Sequence, residues 1–441
     1  MYGFLKRRFL IKRASSAVRV VFKFAVLGSL SGFCCANTIL TYQPEPKTYL
    51  PVFQVPESAF HAWESADLEA RKIVEAWKTL PVTVPWTQIQ LNLHIKHKVS
   101  PTRAARGLAL VHVAMHDALG LSIRQNLDTK LAVSMAAAQV IAYLYNAEEK
   151  SLDRISFALA AQLTGTKPDA LPEGAISALA LGERVGRTVV QYGDTDGAQK
   201  GWNGLRLQYY GEGRYYGPGT WEPTPPYFYY PPDEPFAPSW RSWVLSPASE
   251  FRPTPPAYGS VKYLQDTQEV LSISAALTPD QIKTARFWVD GHGSVTPAGH
   301  WNQIAIEEVR QAKLDDQRTS RLFALLNIAM ADTFIAVWDA KYYYWTARPI
   351  TSSKLIFGTE FKPLLLTPPF PSYVSGHAGF SGCAARVLGS FFPQRSQDLN
   401  IMAEEAAHSR LLGGIHFRHD NDDGLTLGRK VADKVIKSFE K

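Results

Sequence analysis

Apolar residues recur every three or four positions along most of the chain, which is the spacing of one face of an α-helix. This pattern predicts helices over residues 57–80, 101–119, 131–146, 151–164 and 174–192, and again over 302–314, 318–345, 376–391, 397–412 and 425–439. The sequences Ser100-Pro101 and Thr278-Pro279-Asp280-Gln281 are typical of helix N-termini. Because the alternation that marks β-strands is nearly absent, we expect an all-α protein.

A stretch rich in proline and aromatic residues separates two helical regions. It runs from 209 to 258 and includes GPGTWEPTPPYFYYPPDEPFAPSW, in which the prolines prevent a helix from continuing. We expect an ordered connection, pinned by its aromatic side chains. The predicted organisation is a leader (1–36), an N-terminal helical half (37–208), this connection (209–258) and a C-terminal helical half (259–441).

The first 36 residues have the composition of a secretory signal peptide. They carry seven basic residues and no acidic one, and they end in the apolar run 24–36. Those seven account for the whole formal charge of +7, since the 47 basic residues less seven leave 40 against 40 acidic ones. A mature chain near neutrality gives no support for a nucleic-acid partner.

The leader predicts export to the periplasm or the medium, with cleavage after Ala36. A lipid anchor on Cys34 or Cys35 is the less favoured alternative, and Arg7-Arg8 weakly resembles a twin-arginine signal. Cys383 is the single cysteine beyond the leader, which excludes an intramolecular disulfide in the mature chain. No later stretch has about 18 uncharged apolar residues, so we expect no membrane span after the leader.

Three segments of the C-terminal half together hold three cations, a hydroxyl, a glycine amide, two imidazoles and a carboxylate. They are KYYYWTARPI with Lys341 and Arg348, PFPSYVSGHAGFSG with Ser375, Gly376 and His377, and HSRLLGGIHFRHD with Arg410, His416 and Asp420. Pro349 is predicted to end the first element. If Ser375 caps the following helix, the free amides of its first turn form an anion site.

Each of these residues alone also has an ordinary interpretation as a helix cap, a solvated cation or a core histidine. Together they predict a site for a tetrahedral or trigonal-bipyramidal oxyanion, because guanidinium, ammonium and backbone amide groups are the donors that such anions require. Within the three segments the residues are spaced as K-x6-R-P, S-G-H and S-R-x5-H-x3-D, in this order along the chain.

This spacing resembles the three-part signature of vanadium-dependent haloperoxidases and type 2 phosphatidic acid phosphatases. The segments SPTRAARGLALVHVAMHDA, ARFWVDGHGSVTPAGHWNQIA and GGIHFRHDNDDG further resemble the soluble haloperoxidase branch. The resemblance implies two packed helical bundles, as in vanadium chloroperoxidase. One position departs from the family, which usually has proline directly before Ser-Gly-His, where this chain has Val374.

The resemblance also implies vanadate as the cofactor and a role for each motif residue. His416 would bind the vanadium axially, His377 would act as acid and base, and Asp420 would either orient His416 or merely cap the final helix. The residues expected to hold the equatorial oxygens are Lys341, Arg348, Ser375, Gly376 and Arg410.

Two chemistries remain open, because five-coordinate vanadate resembles the transition state of phosphoryl transfer. A haloperoxidase would oxidise halide with hydrogen peroxide, with Lys341 polarising the bound peroxide. An acid phosphatase would cleave a phosphate ester through a phosphohistidine on His416. We favour the haloperoxidase, since Trp338 and Phe370 match the positions that line the halide pocket of chloroperoxidases.

Three further interpretations are weaker. A divalent-metal enzyme would use His112, His116 and Asp117, or Glu405 with His408, but the second Glu-x-x-His of such sites is missing. An integral lipid phosphatase would need several membrane spans. A non-catalytic exported oxyanion-binding protein should lack a proton-transfer residue, yet all of them are present. Dimers in part of the family make a homodimer the expected assembly.

Overall fold

The computed structural model describes residues 38–42, 75–199 and 216–440. The predicted leader and most of the helix predicted over 57–80 lie outside these residues. Thirteen α-helices lie wholly within them: α1 (Thr83–Lys96), α2 (Pro101–Arg124), α3 (Thr129–Leu144), α4 (Glu149–Thr164), α5 (Glu173–Thr195), α6 (Val261–Ala275), α7 (Pro279–Phe287), α8 (Thr296–Ala312), α9 (Asp316–Tyr344), α10 (Pro349–Phe357), α11 (Gly376–Phe391), α12 (Ser396–Leu412) and α13 (Arg418–Ser438).

The all-α prediction is confirmed for this part of the chain. Its one β-like feature is an isolated antiparallel bridge between Thr220 and Thr346. Polar side chains fix several helix starts, because each accepts a backbone amide of the first turn. Asp128 caps α3, Asp315 caps α9, and Thr278 forms the predicted capping box with Gln281.

Two groups of helices pack on one continuous core. In the first group α3 packs against α2, α4 and α5, and in the second α11 packs against α9, α12 and α13. The long helix α9 also packs along α2, so the two groups share buried apolar residues. The predicted boundaries at 208 and 258 stay predictions.

The central helix α9 is apolar over most of its length. By length and composition it is long enough to cross a membrane, and 94% of its most apolar window is buried inside the protein. A core helix has this same character, because it must be apolar on every face that neighbours cover. The buried face of its C-terminal turn places Lys341 in the interior.

Glycines let α11 and α13 approach each other closely. A Cβ added at Gly428 would lie 2.0 Å from the Gly379 carbonyl oxygen, and one added at Gly424 would lie 2.8 Å from the Ser375 carbonyl oxygen. Both distances are far below van der Waals contact, so only glycine permits this packing. The approach brings the N-terminus of α11 against the first turn of α13, where the Ser375 amide donates to the Asp420 carbonyl at 2.9 Å.

The described part of the Pro- and aromatic-rich connection, 216–258, contains no α-helix and only short 3-10 turns. Trp221 and Trp240 are buried against the core. The buried Asp332 of α9 accepts the backbone amides of Trp243 at 2.7 Å, of Val244 at 2.7 Å and of Leu245 at 3.0 Å. These bonds satisfy both carboxylate oxygens and fix the connection to the central helix.

The structure differs from the predicted elements in three respects. Pro349 does not end an element: α9 ends at Tyr344, and Pro349 is the first residue of α10, where a missing amide hydrogen costs nothing. The helices α1, α6 and α10 have no counterpart among the predicted ranges. The final helix starts at Arg418, seven residues before the predicted start, because its first turns lack an apolar pattern and bury the polar residues His419, Asp420 and Asn421 instead.

Candidate active site

Five helices each have one terminus in the same region, and each terminus carries a motif residue. Lys341 lies in the last turn of α9, Arg348 precedes α10, Ser375 caps α11, Arg410 lies in the last turn of α12, and His416 and Asp420 flank the start of α13. Except for Gly376 and His377, which are partly exposed, all the motif residues are buried. The structure therefore brings the three sequence segments together.

His416 and Asp420 form the centre of this arrangement. The His416 Nδ1 atom lies 2.8 Å from Asp420 Oδ2, and the same oxygen accepts the Ser372 hydroxyl at 2.5 Å and the Phe417 amide at 3.2 Å. Asp420 thus orients His416 and also caps α13. Burial raises the pKa of this carboxyl, but the His416 and Ser372 hydrogen bonds outweigh it and hold the pKa below the ordinary range.

The imidazole of His416 is neutral. Burial, together with the neighbouring Arg348 charge, lowers the His416 pKa to about 3, although Asp420 opposes the shift. A neutral ring that donates from Nδ1 to a carboxylate has its lone pair on Nε2. That Nε2 atom lies 3.1 Å from Nη1 of Arg348, which therefore donates to it.

Arg348 is fully buried and only partly satisfied. Its Nε donates to the Phe370 carbonyl at 2.9 Å and its Nη1 donates to the Ile415 carbonyl at 2.8 Å. Among the residues that the structure describes, its Nη2 has no hydrogen-bond partner. Burial lowers the Arg348 pKa to about 9, yet the group stays charged at neutral pH. A buried guanidinium nitrogen without a partner is a donor that a bound anion could satisfy.

Lys341 is also fully buried. Its ammonium donates to the backbone carbonyls of Pro371 at 2.9 Å and Ser372 at 2.7 Å, which uses two of its three hydrogens. Burial and the nearby Arg348 charge lower the Lys341 pKa well below its ordinary value, while Asp420 partly offsets them. One ammonium hydrogen remains for a further acceptor.

Arg410 completes the set of cations. Its Nε donates to the Ser409 hydroxyl at 3.0 Å and its Nη2 donates to the Ala285 carbonyl at 3.1 Å. Burial lowers the Arg410 pKa to about 10, and the Asp290 charge acts in the opposite direction. Among the described residues none of the three cations forms an ion pair with a carboxylate within 4.0 Å.

The buried cations are therefore arranged for an anion that is not a side chain of the described residues. Removing three positive charges from water is costly unless an opposite charge compensates them. The first turn of α11 adds amides without helical partners, and the Ser375 hydroxyl accepts the Ala378 amide at 3.4 Å and keeps its own hydrogen to donate. The donor set fits a multiply charged oxyanion such as vanadate or phosphate.

His377 stands at the edge of this site. Its Nε2 atom lies 3.3 Å from the Val289 carbonyl, so Nε2 carries hydrogen and Nδ1 carries the lone pair. Desolvation by surrounding protein atoms, together with the Arg410 charge, lowers the His377 pKa well below its ordinary value. A bound anion would act in the opposite direction and favour the protonated ring.

Aromatic rings form one wall of the site. Trp338 and Phe370 have ring centroids 5.1 Å apart, and the Lys341 Nζ atom lies 5.8 Å from the first and 5.2 Å from the second. The Trp338 indole is fixed by its hydrogen bond to the Asp233 carbonyl at 3.1 Å. The two predicted halide-pocket residues thus lie together beside a buried ammonium group.

Val374 occupies the position where the family usually has proline, and it is completely buried. The peptide bond between Tyr373 and Val374 is cis. On either side of it, the Tyr373 amide donates to the Thr346 hydroxyl at 2.9 Å and the Ser375 amide donates to the Asp420 carbonyl. Hydrogen bonds on both sides hold the segment that leads into α11.

Sequence reasoning missed three residues of the site. Ser372 bonds to Asp420, and no motif spacing singles it out from the other serines. Asp290 lies near Arg410 and accepts from the His300 Nδ1 atom at 3.0 Å. His300 also stacks on Trp288 with centroids 4.6 Å apart. Asp290 and His300 both lie in the segment ARFWVDGHGSVTPAGHWNQIA, and the resemblance of this segment to the haloperoxidase branch could have pointed to them.

The residues of the divalent-metal alternative have other partners in the structure. Asp117 accepts the Ile39 amide at 2.6 Å, the Leu40 amide at 3.0 Å and the Tyr42 hydroxyl at 2.8 Å. Glu405 accepts the Trp288 indole hydrogen at 2.8 Å. Within the ranges that the structure describes, no group of three His, Cys, Asp or Glu side chains has the arrangement of a metal site.

Sequence comparison matches this region to known proteins. The family model described as the VCPO second helical-bundle domain matches residues 321–358 and 394–441. Vanadium chloroperoxidase of Curvularia inaequalis is 26% identical over 148 residues, 28% of this chain and 24% of that protein. Non-specific acid phosphatase of Salmonella typhi is 29% identical over 134 residues, 30% of this chain and 53% of that protein. The matches thus span about a quarter and about half of these relatives.

Similarity to solved structures extends over most of the chain. A bacterial vanadium-dependent iodoperoxidase superposes with a TM-score of 0.69 and 25% identity, covering 80% of this chain and 94% of that one. A holo-type bacterial vanadium-dependent chloroperoxidase superposes with a TM-score of 0.61 at 15% identity, covering 78% and 93% of the two chains. The second likeness concerns the fold alone.

Proposed function

Because the chain belongs to the superfamily of vanadium haloperoxidases and acid phosphatases, we propose that it is a vanadate-dependent haloperoxidase, which oxidises halide with hydrogen peroxide. The observation that supports this most is the buried Nη2 atom of Arg348, which has no partner among the described residues. Two further buried cations, Lys341 and Arg410, lie in the same site, and neither forms an ion pair with a described carboxylate. The iodoperoxidase fold and the aromatic wall at Trp338 and Phe370 favour halide chemistry.

The residues would divide the work as follows. Lys341, Arg348 and Arg410, with the Ser375 hydroxyl and the first-turn amide of Gly376, would hold the oxygens of vanadate, and the His416 Nε2 lone pair would bind its central atom. To do so, His416 gives up its present hydrogen bond from Arg348 Nη1. Vanadate, when bound, supplies the Lewis-acid centre at which peroxide becomes an oxidant for halide.

Asp420 would orient His416, and His377 would transfer protons. Asp420 accepts the Nδ1 hydrogen of His416, which fixes the orientation of the ring and makes the Nε2 lone pair a better ligand. His377 accepts a proton at its Nδ1 atom, since its Nε2 hydrogen is already bonded to the Val289 carbonyl. Lys341, with one ammonium hydrogen to spare, supplies positive charge next to the aromatic wall.

An acid phosphatase is the second candidate. The observation that favours it is the pairing of His416 with Asp420, because a neutral imidazole oriented by a carboxylate is also a nucleophile for phosphorus. The same cations would then neutralise a phosphate ester, and His377 would protonate the leaving alcohol. We propose an exported location for either enzyme from the leader sequence.

The test is a pair of assays on the purified full chain. Vanadate-loaded protein is assayed for peroxide-dependent halogenation of a dye, and vanadate-free protein is assayed for hydrolysis of a phosphate monoester. Halogenation is the expected result. Hydrolysis alone would establish the second candidate, and anion binding without either reaction would indicate a non-catalytic oxyanion-binding protein.

Three histidine variants accompany this experiment. His416→Ala should abolish both reactions, whereas His408→Ala, a partly exposed histidine eight residues earlier on α12, should leave them within twofold. His377→Ala should bind vanadate but turn over slowly, because it removes only the proton-transfer group. Full activity of His416→Ala would show that the axial position is assigned to the wrong residue.

A further inference from the structure

A cleft lined by tyrosines opens near the aromatic wall of the candidate active site. Its volume is about 380 Å³, and we call it the tyrosine cleft. Its lining includes Tyr227, Tyr229 and Tyr230 from the connection, together with Asp233, His292 and Pro369. The three tyrosines are 61%, 57% and 46% exposed, and the rings of Tyr227 and Tyr229 lie 5.2 Å apart.

Direct bonds join this cleft to the proposed halide pocket. The Asp233 carbonyl accepts the Trp338 indole hydrogen at 3.1 Å, and the Asp233 amide donates to the Pro369 carbonyl at 3.0 Å. Pro369 directly precedes Phe370, the second ring of the aromatic wall. Two lining residues of the tyrosine cleft, Asp233 and Pro369, are therefore the immediate neighbours of the two pocket rings.

The other side of the cleft leads to the proton-transfer residue. His292 lines the cleft and lies three residues beyond Val289, whose carbonyl accepts from His377. The tyrosine cleft thus lies between a loop that contacts His377 and a segment that contacts Trp338. If a small neutral product leaves the site along this side, it meets the exposed phenol rings before it reaches bulk solvent.

We propose that Tyr227 and Tyr229 are self-halogenation sites of the enzyme, an inference that rests on the proposed haloperoxidase function. Halide, hydrogen peroxide and one proton give hypohalous acid and water. The hypohalous acid then transfers its halogen to a ring carbon beside the phenol oxygen. A carbon–halogen bond forms, the carbon–hydrogen and oxygen–halogen bonds break, and the released proton joins the hydroxide to form water.

Phenol rings suit this reaction because their oxygen donates electron density to the neighbouring ring carbons. Exposure alone does not distinguish these tyrosines, since Tyr343 is 61% exposed and Tyr216 is 55% exposed. Neither of those two lines the tyrosine cleft. They are therefore matched controls of nearly equal exposure, and any preference for Tyr227 and Tyr229 must come from their position.

The experiment uses vanadate-loaded full chain with iodide and a limiting amount of peroxide, without a dye. Peptide mass spectrometry then measures the fraction of each tyrosine that has exchanged hydrogen for iodine. A parallel sample of His416→Ala protein receives the same amount of oxidised iodine from outside. We expect enzymatic iodination of Tyr227 and Tyr229 to exceed that of Tyr216 and Tyr343 at least fivefold, and external iodine to label all four within about threefold.

Equal labelling of the four tyrosines by the working enzyme would overturn the inference and leave the proposed function standing. Absence of oxidised iodine, measured as triiodide in the same reaction, would overturn both. The double variant Tyr227→Phe/Tyr229→Phe should form triiodide at an unchanged rate and lose the selective label. If it kept a selective label at Tyr230 alone, the assignment to Tyr227 and Tyr229 would be wrong.

Discussion

The His416 imidazole and the Asp420 carboxylate are joined by a 2.8 Å hydrogen bond between Nδ1 and Oδ2, both fully inside the protein. The bond leaves the lone pair of His416 on Nε2, the ring nitrogen that accepts from Arg348. Asp420 is itself fixed by Ser372 and by the Phe417 amide, so the pair is a rigid unit at the start of α13.

Asp420→Asn should weaken vanadate affinity by about 10- to 100-fold, because an amide oxygen orients and polarises an imidazole less than a carboxylate does. Equilibrium dialysis with vanadium analysis measures the dissociation constant. Asp422→Asn makes the same charge change at an exposed position two residues away and should alter it by less than twofold. Equal effects would mean that only net charge matters.

Arg348→Lys should remove most of the stabilisation that phosphate or vanadate gives to the folded protein. A ligand at 100 times its dissociation constant stabilises by about 2.7 kcal/mol, which a thermal melt detects as a raised midpoint. Lysine cannot replace both Nη1 and the unpartnered Nη2 of the guanidinium. The exposed Arg386→Lys is the control, and a full midpoint shift in Arg348→Lys would contradict an anion at Nη2.

Phe370→Leu should raise the KM for halide about three- to tenfold and change vanadate affinity by less than twofold. The ring lies over both Lys341 Nζ and the Arg348 guanidinium, at 5.2 and 5.0 Å. The bond from Arg348 uses the Phe370 backbone carbonyl, which leucine retains. Initial rates measured against halide concentration give this KM, and Phe357→Leu at the end of α10 is the control. A matching loss of vanadate affinity would show that the ring merely supports the anion site.

Acid should destabilise the protein partly through His112, a buried residue of α2 that is not part of the candidate site. Burial lowers the pKa of this ring to about 3, whereas the unfolded chain has the ordinary value near 6.5. Between these values the unfolded state binds the extra proton, so stability rises with pH across the window and is lost as pH falls below 6.5. The slope from one such group is up to about 1.4 kcal/mol per pH unit.

The measurement is proton uptake on unfolding at pH 5, from calorimetry in buffers of different ionisation enthalpy. His112→Gln should take up about one proton fewer than the wild type, whatever its effect on overall stability. Equal uptake would mean that His112 is protonated in the folded protein. The ring packs on Phe323 with centroids 5.1 Å apart, so the variant is also expected to melt at a lower temperature.

The sequence predicted much of this fold because its helices carry local signals. Thr278 and Gln281 form the capping box that their spacing indicated, and α11 spans the predicted range. The start of α13 was missed because residues such as His419 and Asp420 are polar but buried. Their burial depends on distant partners, namely Asp266 and Ser372, and no local pattern contains that information.

The motif spacing identified the residues that now lie together, but not the contacts between them. Nothing local indicates that Arg348 Nη1 donates to His416 Nε2, since that contact needs the segments that precede α10 and α13 to meet. Ser372 was missed for the same reason, as was the role of Asp233 in fixing Trp338. These contacts join segments far apart in sequence, so they appear only once the helices are packed.

The Asp233 carbonyl accepts hydrogen bonds from both Trp338 and Tyr342, so a non-helical segment adjoins a site whose cations all belong to the helical part of the chain. In the proposed enzyme, anion binding and substrate access would thereby depend on separate parts of the chain. Insertions or substitutions around Asp233 could change which substrates enter the pocket and leave every residue that contacts the anion unchanged. Diversification of substrate preference in descendants of this gene should therefore concentrate in the proline-rich connection.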